Sequence, residues 1–355
     1  MKAKQMQAQF DAQNTERKPA IRRHSAQRRM FAGIAAAAVL LVGGAVTVGA
    51  ANDWNYATVF SKYFSDQSGE HVNYDFTGMG LDIGEVIEGD RFTMTIQSVV
   101  ADTNAVYVVY DIALSDEINE MLAPYEEVYV NGFLFGSVFS ENDDGTLEYY
   151  GHSGRSLLGY RTEDNSWRCM TIEQMDDSVN LQDKKLMLGL NSDIGAVEFA
   201  YFEPDADEGR GSPWTRLSGP KTTLIYDLAD ITVQQGLSVP YGSTLPNDVN
   251  ENIFDTMTVT PFMVRFESKG TVGRGESAPS WGSMPEASEA YQPVVYTAVY
   301  ADRTEVLKVT VGGDETECTH TTGEFSISHT MFFNAPLDLN GLLAIRVNDI
   351  EIPVQ

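Results

Sequence analysis

The sequence predicts an all-β ectodomain, arranged as tandem β-sandwiches, on a single N-terminal transmembrane helix. Three observations predict it. Residues 30–51 form an uncharged run flanked by opposite charge. After Gly69 the chain is a series of short β-branched and aromatic runs. Clusters of Gly, Asp, Asn and Ser separate these runs at the short intervals of an antiparallel sandwich.

Residues 1–29 read as a basic cytoplasmic tail, with eight Lys or Arg against two acids, a net of +6. The whole chain carries −27, so everything after residue 29 carries −33. The 22 residues from Met30 to Ala51 are uncharged, enough for roughly 30 Å of hydrocarbon as a helix. A basic tail, an apolar span and an acidic body follow the positive-inside pattern, with the N-terminus in the cytoplasm and the C-terminal part outside. The bilayer is therefore the partner of 30–51, and anionic lipid the partner of Arg22, Arg23, Arg28 and Arg29. Gly33/Ala37 and Ala45/Gly49 give the span two small-xxx-small faces for helix association. The competing reading is a leader cut after Ala50, since Val48-Gly49-Ala50 is a small-x-small site. The long charged region and the length of the apolar run favour a retained anchor.

Residues 52–69 read as a juxtamembrane helix. Trp54, Tyr56, Phe60, Tyr63 and Phe64 are the ring types that prefer the headgroup level. Val59, Phe60, Tyr63 and Phe64 fall on one helical face, expected either to lie on the outer membrane surface or to pack on the following domain.

A first β-domain is expected over 70–231. "RFTMTIQSVVAD" and "NAVYVVYDIAL" make a hairpin turning at Ala101-Asp102-Thr103-Asn104. Its core is expected to hold Phe92, Met94, Ile96, Val106, Val108 and Tyr110. "EEVYVNGFLFG", "TLEYYGH", "SLLGYRT", "WRCMTI", "KKLMLGL", "AVEFAYFE" and "KTTLIYDLADITV" read as further strands, and Glu117–Leu122 as a helical turn.

A second β-domain, 232–355, follows with "DTMTVTPFMVRFESKG", "YQPVVYTAVYADRTEVLKVTVGG", "GEFSISHTMFFN" and "GLLAIRVNDIEIPV". Met257, Val259, Val264, Val295, Val309, Phe325 and Ile345 are expected in its core. "DRFTMTIQSVV" echoes "FDTMTVTPFMV", and "VYVVYDIAL" echoes "VVYTAVYAD", which reads either as a sandwich duplicated in tandem or as β composition repeating itself. Residues 269–292 and 203–213 read as exposed, protease-sensitive loops.

The order of basic tail, span, "DWNYATVFSKYF" and "GDRFTMTIQSVVADTNAVYVVYDI" resembles the Gram-positive single-pass membrane family called domain of unknown function 4179. Residues 30–115 carry that resemblance, and the later half resembles the immunoglobulin-like domain that often follows. The resemblance implies immunoglobulin-like sandwiches and an envelope-sensing regulator of the anti-sigma-factor kind, with a sigma factor as the inner partner. The other reading is a structural or adhesive surface module that binds cell-wall polymer or protein. Residues 2–18, with Met6 and Phe10 as nearly their only apolar anchors, leave that alternative open.

No residue constellation specifies a reaction, so no enzyme, catalytic residue, cofactor or metal is expected. "GHSGRS" has Gly154 directly after Ser153, whereas a nucleophile elbow needs glycine one place further on; a turn is expected there. Cys318, His320 and His329 lack the second close pair of a zinc site. Asp143, Asp144, Asp205 and Asp207 do not match the twelve-residue calcium loop. An oxidising exterior permits a bond between Cys169 and Cys318, but they fall in different expected domains and read rather as two separate buried thiols. The acidic excess excludes nucleic acid, because phosphates need a basic surface.

Overall fold

The computed structural model describes residues 55–354 except 133, 143–144, 176–178, 191–194, 203–211, 234, 247, 249, 273–293 and 319–323. The expected tail, the span 30–51, most of both expected loops, His320 and the four loop aspartates lie outside the described residues. None of the described helices is long and apolar enough to cross a membrane. The described chain is mostly β-strand, with two α-helices, and divides into two units.

The first unit takes Leu81–Val99 and Val106–Ile231. One sheet runs β1-β2-β3-β8-β7, from Gly80–Glu88, Phe92–Ala101, Ala105–Leu114, Trp167–Met175 and Gly151–Arg161. A second runs β11-β10-β4, from Thr215–Leu217, Val197–Tyr201 and Val128–Gly132. The third runs β12-β9-β5-β6, from Thr222–Asp227, Lys185–Leu190, Leu134–Glu141 and Leu147–Tyr149. The β2–β3 hairpin forms where expected. Its turn is held by the Asp102 carboxylate, which accepts the N–H groups of Asn104 and Ala105 at 2.8 Å each. Phe92, Met94, Ile96, Val106, Val108 and Tyr110 are all buried. A short helix, α2, covers Asp116–Leu122 after β3.

Two expectations change here. "EEVYVNGFLFG" is not one strand: it supplies β4 and β5, which belong to different sheets. "GHSGRS" is not a turn but the start of β7, whose register with β8 shifts between Gly151 and Ser153. An extended strand has no strained strand-to-helix corner on which to expose a nucleophile.

The second unit takes Tyr56–Gly80, the hairpin tip Val100–Ala105 and Thr232–Gln355. Its five-stranded sheet runs β13-β14-β15-β19-β18, from Leu237–Thr244, Ile253–Val259, Met263–Thr271, Glu324–Phe333 and Val309–Cys318. Its four-stranded sheet runs β17-β16-β20-β21, from Thr304–Leu307, Tyr296–Tyr300, Leu342–Val347 and Ile350–Pro353. Phe254, Met257, Val264 and Phe266 from one sheet meet Tyr296, Leu342 and Ile345 from the other in a single apolar core. Val309 and Phe325 pack at its margin. Val295 is 44 % exposed, because Tyr296 takes the inward position and strand alternation turns its neighbour out. β13 tolerates Pro240 because it is an edge strand.

The expected duplication does not hold at this level. "DRFTMTIQSVV" is essentially one strand, β2, whereas "FDTMTVTPFMV" is split between β14 and β15 by a turn at Thr260–Phe262. That turn is held by the Thr260 hydroxyl, which accepts from Phe262 N and Met263 N.

Helix α1, Tyr56–Ser68, corrects the membrane-lying expectation for 56–68, while 52–54 with Trp54 lie outside the described residues. Val59, Phe60, Tyr63 and Phe64 are buried, and the outward positions are Thr58, Lys62, Asp66 and Gln67. Phe64 stacks on Phe76 and on Phe262, with centroids 6.3 and 5.8 Å apart. Residues 69–80 complete the contact. The Tyr56 hydroxyl accepts Gly78 N–H at 2.8 Å, and Gly78 O accepts Thr232 N–H at 2.7 Å. Removing those rings from water is worth more within a packed aromatic cluster than against the headgroup layer.

Candidate functional site

The central strands of the first unit carry polar groups on both faces, and these are its best-defined chemical features. On one face, the Asp111 carboxylate of β3 accepts two hydrogen bonds from Arg168 of β8, Nε and Nη2 each at 2.8 Å. Gln97 of β2 donates a third at 2.8 Å. Burial works against the guanidinium's charge, but the hydrogen bonds and negative charge of Asp111 outweigh it and hold the Arg168 pKa above its ordinary value. This is a satisfied three-strand clamp.

Strand alternation sends Tyr110, Cys169, Thr171 and Glu173 to the opposite face. The Tyr110 hydroxyl donates to Gly132 O at 3.2 Å and accepts from Thr171 at 3.4 Å. The Ser156 hydroxyl of β7 donates to the same carbonyl at 3.1 Å. One Glu173 oxygen accepts Gly136 N–H at 2.6 Å.

Three glycines make room for these side chains. A methyl group at Gly132 falls 2.6 Å from the Tyr110 ring, one at Gly159 falls 2.6 Å from the Cys169 sulfur, and one at Gly136 falls 2.2 Å from Glu173 Cγ. None of these distances is tolerable without a shift. Gly136→Ala is therefore expected to destabilise the first unit by about 3 kcal/mol. Glu173→Ala in the same chain should recover much of that loss, because it removes the clashing side chain. Urea titrations of the two single variants and the double variant check this; strictly additive losses would show that Gly136 is not a notch for Glu173.

The seam is not built for nucleophilic catalysis. Burial pushes the Cys169 thiol up, with the Asp111 charge adding to the effect, so the free thiol stays protonated and inert. Burial likewise pushes Tyr110 up. Glu173 differs: burial pushes its carboxyl up to about 8, against the opposing pull of the Gly136 N–H.

Of the residues weighed as candidates in the sequence, Cys169 lies on this face and Gly154 stands opposite Glu173 across β7 and β8, whereas Cys318 and His329 belong to the second unit. His329 is buried in β19, opposite Phe266 of β15. Cys318 ends β18, opposite Phe325. Among the described residues no group of three His, Cys, Asp or Glu is placed to hold a metal ion. Sequence reasoning missed Asp111, Arg168 and Glu173. Their signal is an isolated charge inside an apolar strand, as in "VVYDIAL" and "WRCMTIEQM", where a solvated face would show alternation.

A solved structure described as the conserved domain protein from Bacillus anthracis is similar over 77 % of this chain and 78 % of its own. Identity is 10 % and the TM-score 0.36, a likeness that supports no inference about function. No known family model matches the chain, and no curated protein matches it.

Proposed function

We propose that the chain is a non-catalytic, membrane-anchored extracytoplasmic protein that senses the state of the envelope and reports inward through its basic tail. The observation that carries this reading is the charge distribution: +6 before residue 30, none over 30–51, and −33 beyond. The resemblance to the domain of unknown function 4179 family adds an anti-sigma-like role, with a sigma factor as inner partner and wall polymer or protein as outer one. In this reading the two-sheet second unit is an immunoglobulin-like sandwich. The scarcity of apolar anchors in residues 2–18 favours the second reading, a surface-binding module whose tail serves only topology.

Protease added to intact protoplasts should remove both β-units and leave a small N-terminal membrane fragment. Mature protein starting at Ala51 in the medium would overturn the anchored reading. Leu41→Arg at the centre of the span should cost about 3 kcal/mol of insertion and release the protein from the membrane. Capture of a sigma factor by the full chain, but not by one lacking residues 2–29, supports the regulator. Capture of wall polymer by both, without a sigma factor, supports the surface module.

A further inference from the structure

Glu173 lies on the face of β8 that β5 covers, in a notch left open by Gly136. Leu134 and Val138 flank that glycine on the inward face of β5, and both are buried. Tyr110 of β3 and Cys169 of β8 share the carboxyl's face; Arg168 and Asp111 pair on the opposite face, Lys185 of β9 pairs with Glu141 of β5, and β7 carries His152, Arg155 and Arg161. β7 sets Gly154, which has no side chain, directly opposite Glu173 in register. Among the described residues, the Gly136 N–H is the hydrogen-bond donor this carboxyl has. Burying an anion with one donor costs far more than burying the neutral carboxyl, whose O–H still calls for an acceptor.

We propose that Glu173 makes the seam between β5 and β8 a proton-sensitive switch, closed when the carboxyl is neutral and loosened when it ionises. The strand that carries it also carries Arg168, so movement of β8 reaches the clamp on the other face of the sheet. The proposal does not depend on the anchored reading, since it concerns one unit's own interior.

Its expected sign follows from the raised pKa. Between the ordinary carboxyl value of 4.5 and about 8, the folded chain keeps a proton that the unfolded chain has lost. Stability contributed by the neutral carboxyl is thus fully present below about pH 4.5. It is lost as pH rises, by up to about tenfold in the folding constant per pH unit, and levels off above about pH 8.

The test compares the full chain with Glu173→Gln in mild detergent, from pH 5 to pH 9. Urea unfolding gives global stability, and amide hydrogen exchange, corrected for its intrinsic pH dependence, gives protection in 134–141 and 167–175. The wild-type chain is expected to lose protection in both segments by about tenfold per pH unit between pH 6 and pH 8 relative to Glu173→Gln. Identical pH profiles in the two proteins overturn the proposal. If Glu173→Gln fails to fold, the wild-type profile decides alone: stability and exchange that stay flat from pH 5 to pH 8 overturn it as well.

Discussion

Arg168→Ala is expected to destabilise the first unit by about 3–5 kcal/mol, among the largest single-residue effects available in the chain. The reason is what the substitution leaves behind. The side chains of Arg168 and Asp111 are only 12 % and 7 % exposed. Without the guanidinium, the Asp111 carboxylate keeps one donor, Gln97 Nε2, where it had three. A buried carboxylate with one donor either remains charged at high cost or takes up a proton. Arg168→Lys should fall between wild type and alanine, since an ammonium keeps the charge but cannot make two parallel hydrogen bonds. Replacing Arg168 by Met together with Asp111 by Leu should cost less than Arg168→Ala, because no charge is stranded. Denaturant unfolding of these variants, closed as a double-mutant cycle, measures the coupling. A loss below about 1 kcal/mol for Arg168→Ala would mean that water reaches Asp111 and the clamp is effectively a surface pair.

Local patterns in the sequence were legible because they arise from period and turn chemistry. The β2–β3 hairpin is written in alternation plus Asp102 and Asn104, and the turn carries out that chemistry with side-chain to backbone hydrogen bonds. The expected core positions of β2 and β3 are buried, but so is nearly every other position of both strands, so alternation named only one of two covered faces. The arrangement of distant segments was not legible. Asp111 and Arg168 are 57 residues apart, and Gly136 and Glu173 are 37 apart. Nothing in one strand's composition names its partner at such separations. β1 was missed because Gly80, Asp82, Gly84 and Glu85 dilute its apolar content, and Gly84 takes a positive φ of 64°. Reading "VYVNG" and "FLFG" as one run failed for a related reason. Periodicity reports that residues are extended, not which sheet they join.

The same limit explains the misreading of α1, and it leads to the second large effect. An amphipathic helix states that one face is apolar, and leaves open what covers it. The span-like run before it suggested lipid. In the structure Phe64 is covered by its own unit: Phe76 and Phe262 stack on it, and Tyr63 meets it edge-on at 5.5 Å. Lys308 Nζ adds a hydrogen bond to Ser68 O at 3.0 Å, near the helix C-terminus. Residues from the start of the described chain and from its last third thus make one folded body, and 81–231 is largely an excursion between them.

Phe64→Ala is therefore expected to cost the second unit about 3–5 kcal/mol, the usual price of emptying a buried aromatic site. Amide exchange should rise first in 56–68 and in the 254–266 hairpin, whose turn presents Phe262. The effect should be the same with and without lipid vesicles, because the ring's partners are protein. Phe60→Ala should behave alike, since Phe60 touches Phe64 and Phe76 at centroid distances of 6.3 and 6.0 Å. Lys62→Ala, on the outward face, should change stability by less than about 0.5 kcal/mol. If Phe64→Ala left exchange in 254–266 unchanged and instead weakened binding to vesicles, α1 would be a membrane-surface helix after all. The stacking on Phe262 would then count for little in solution.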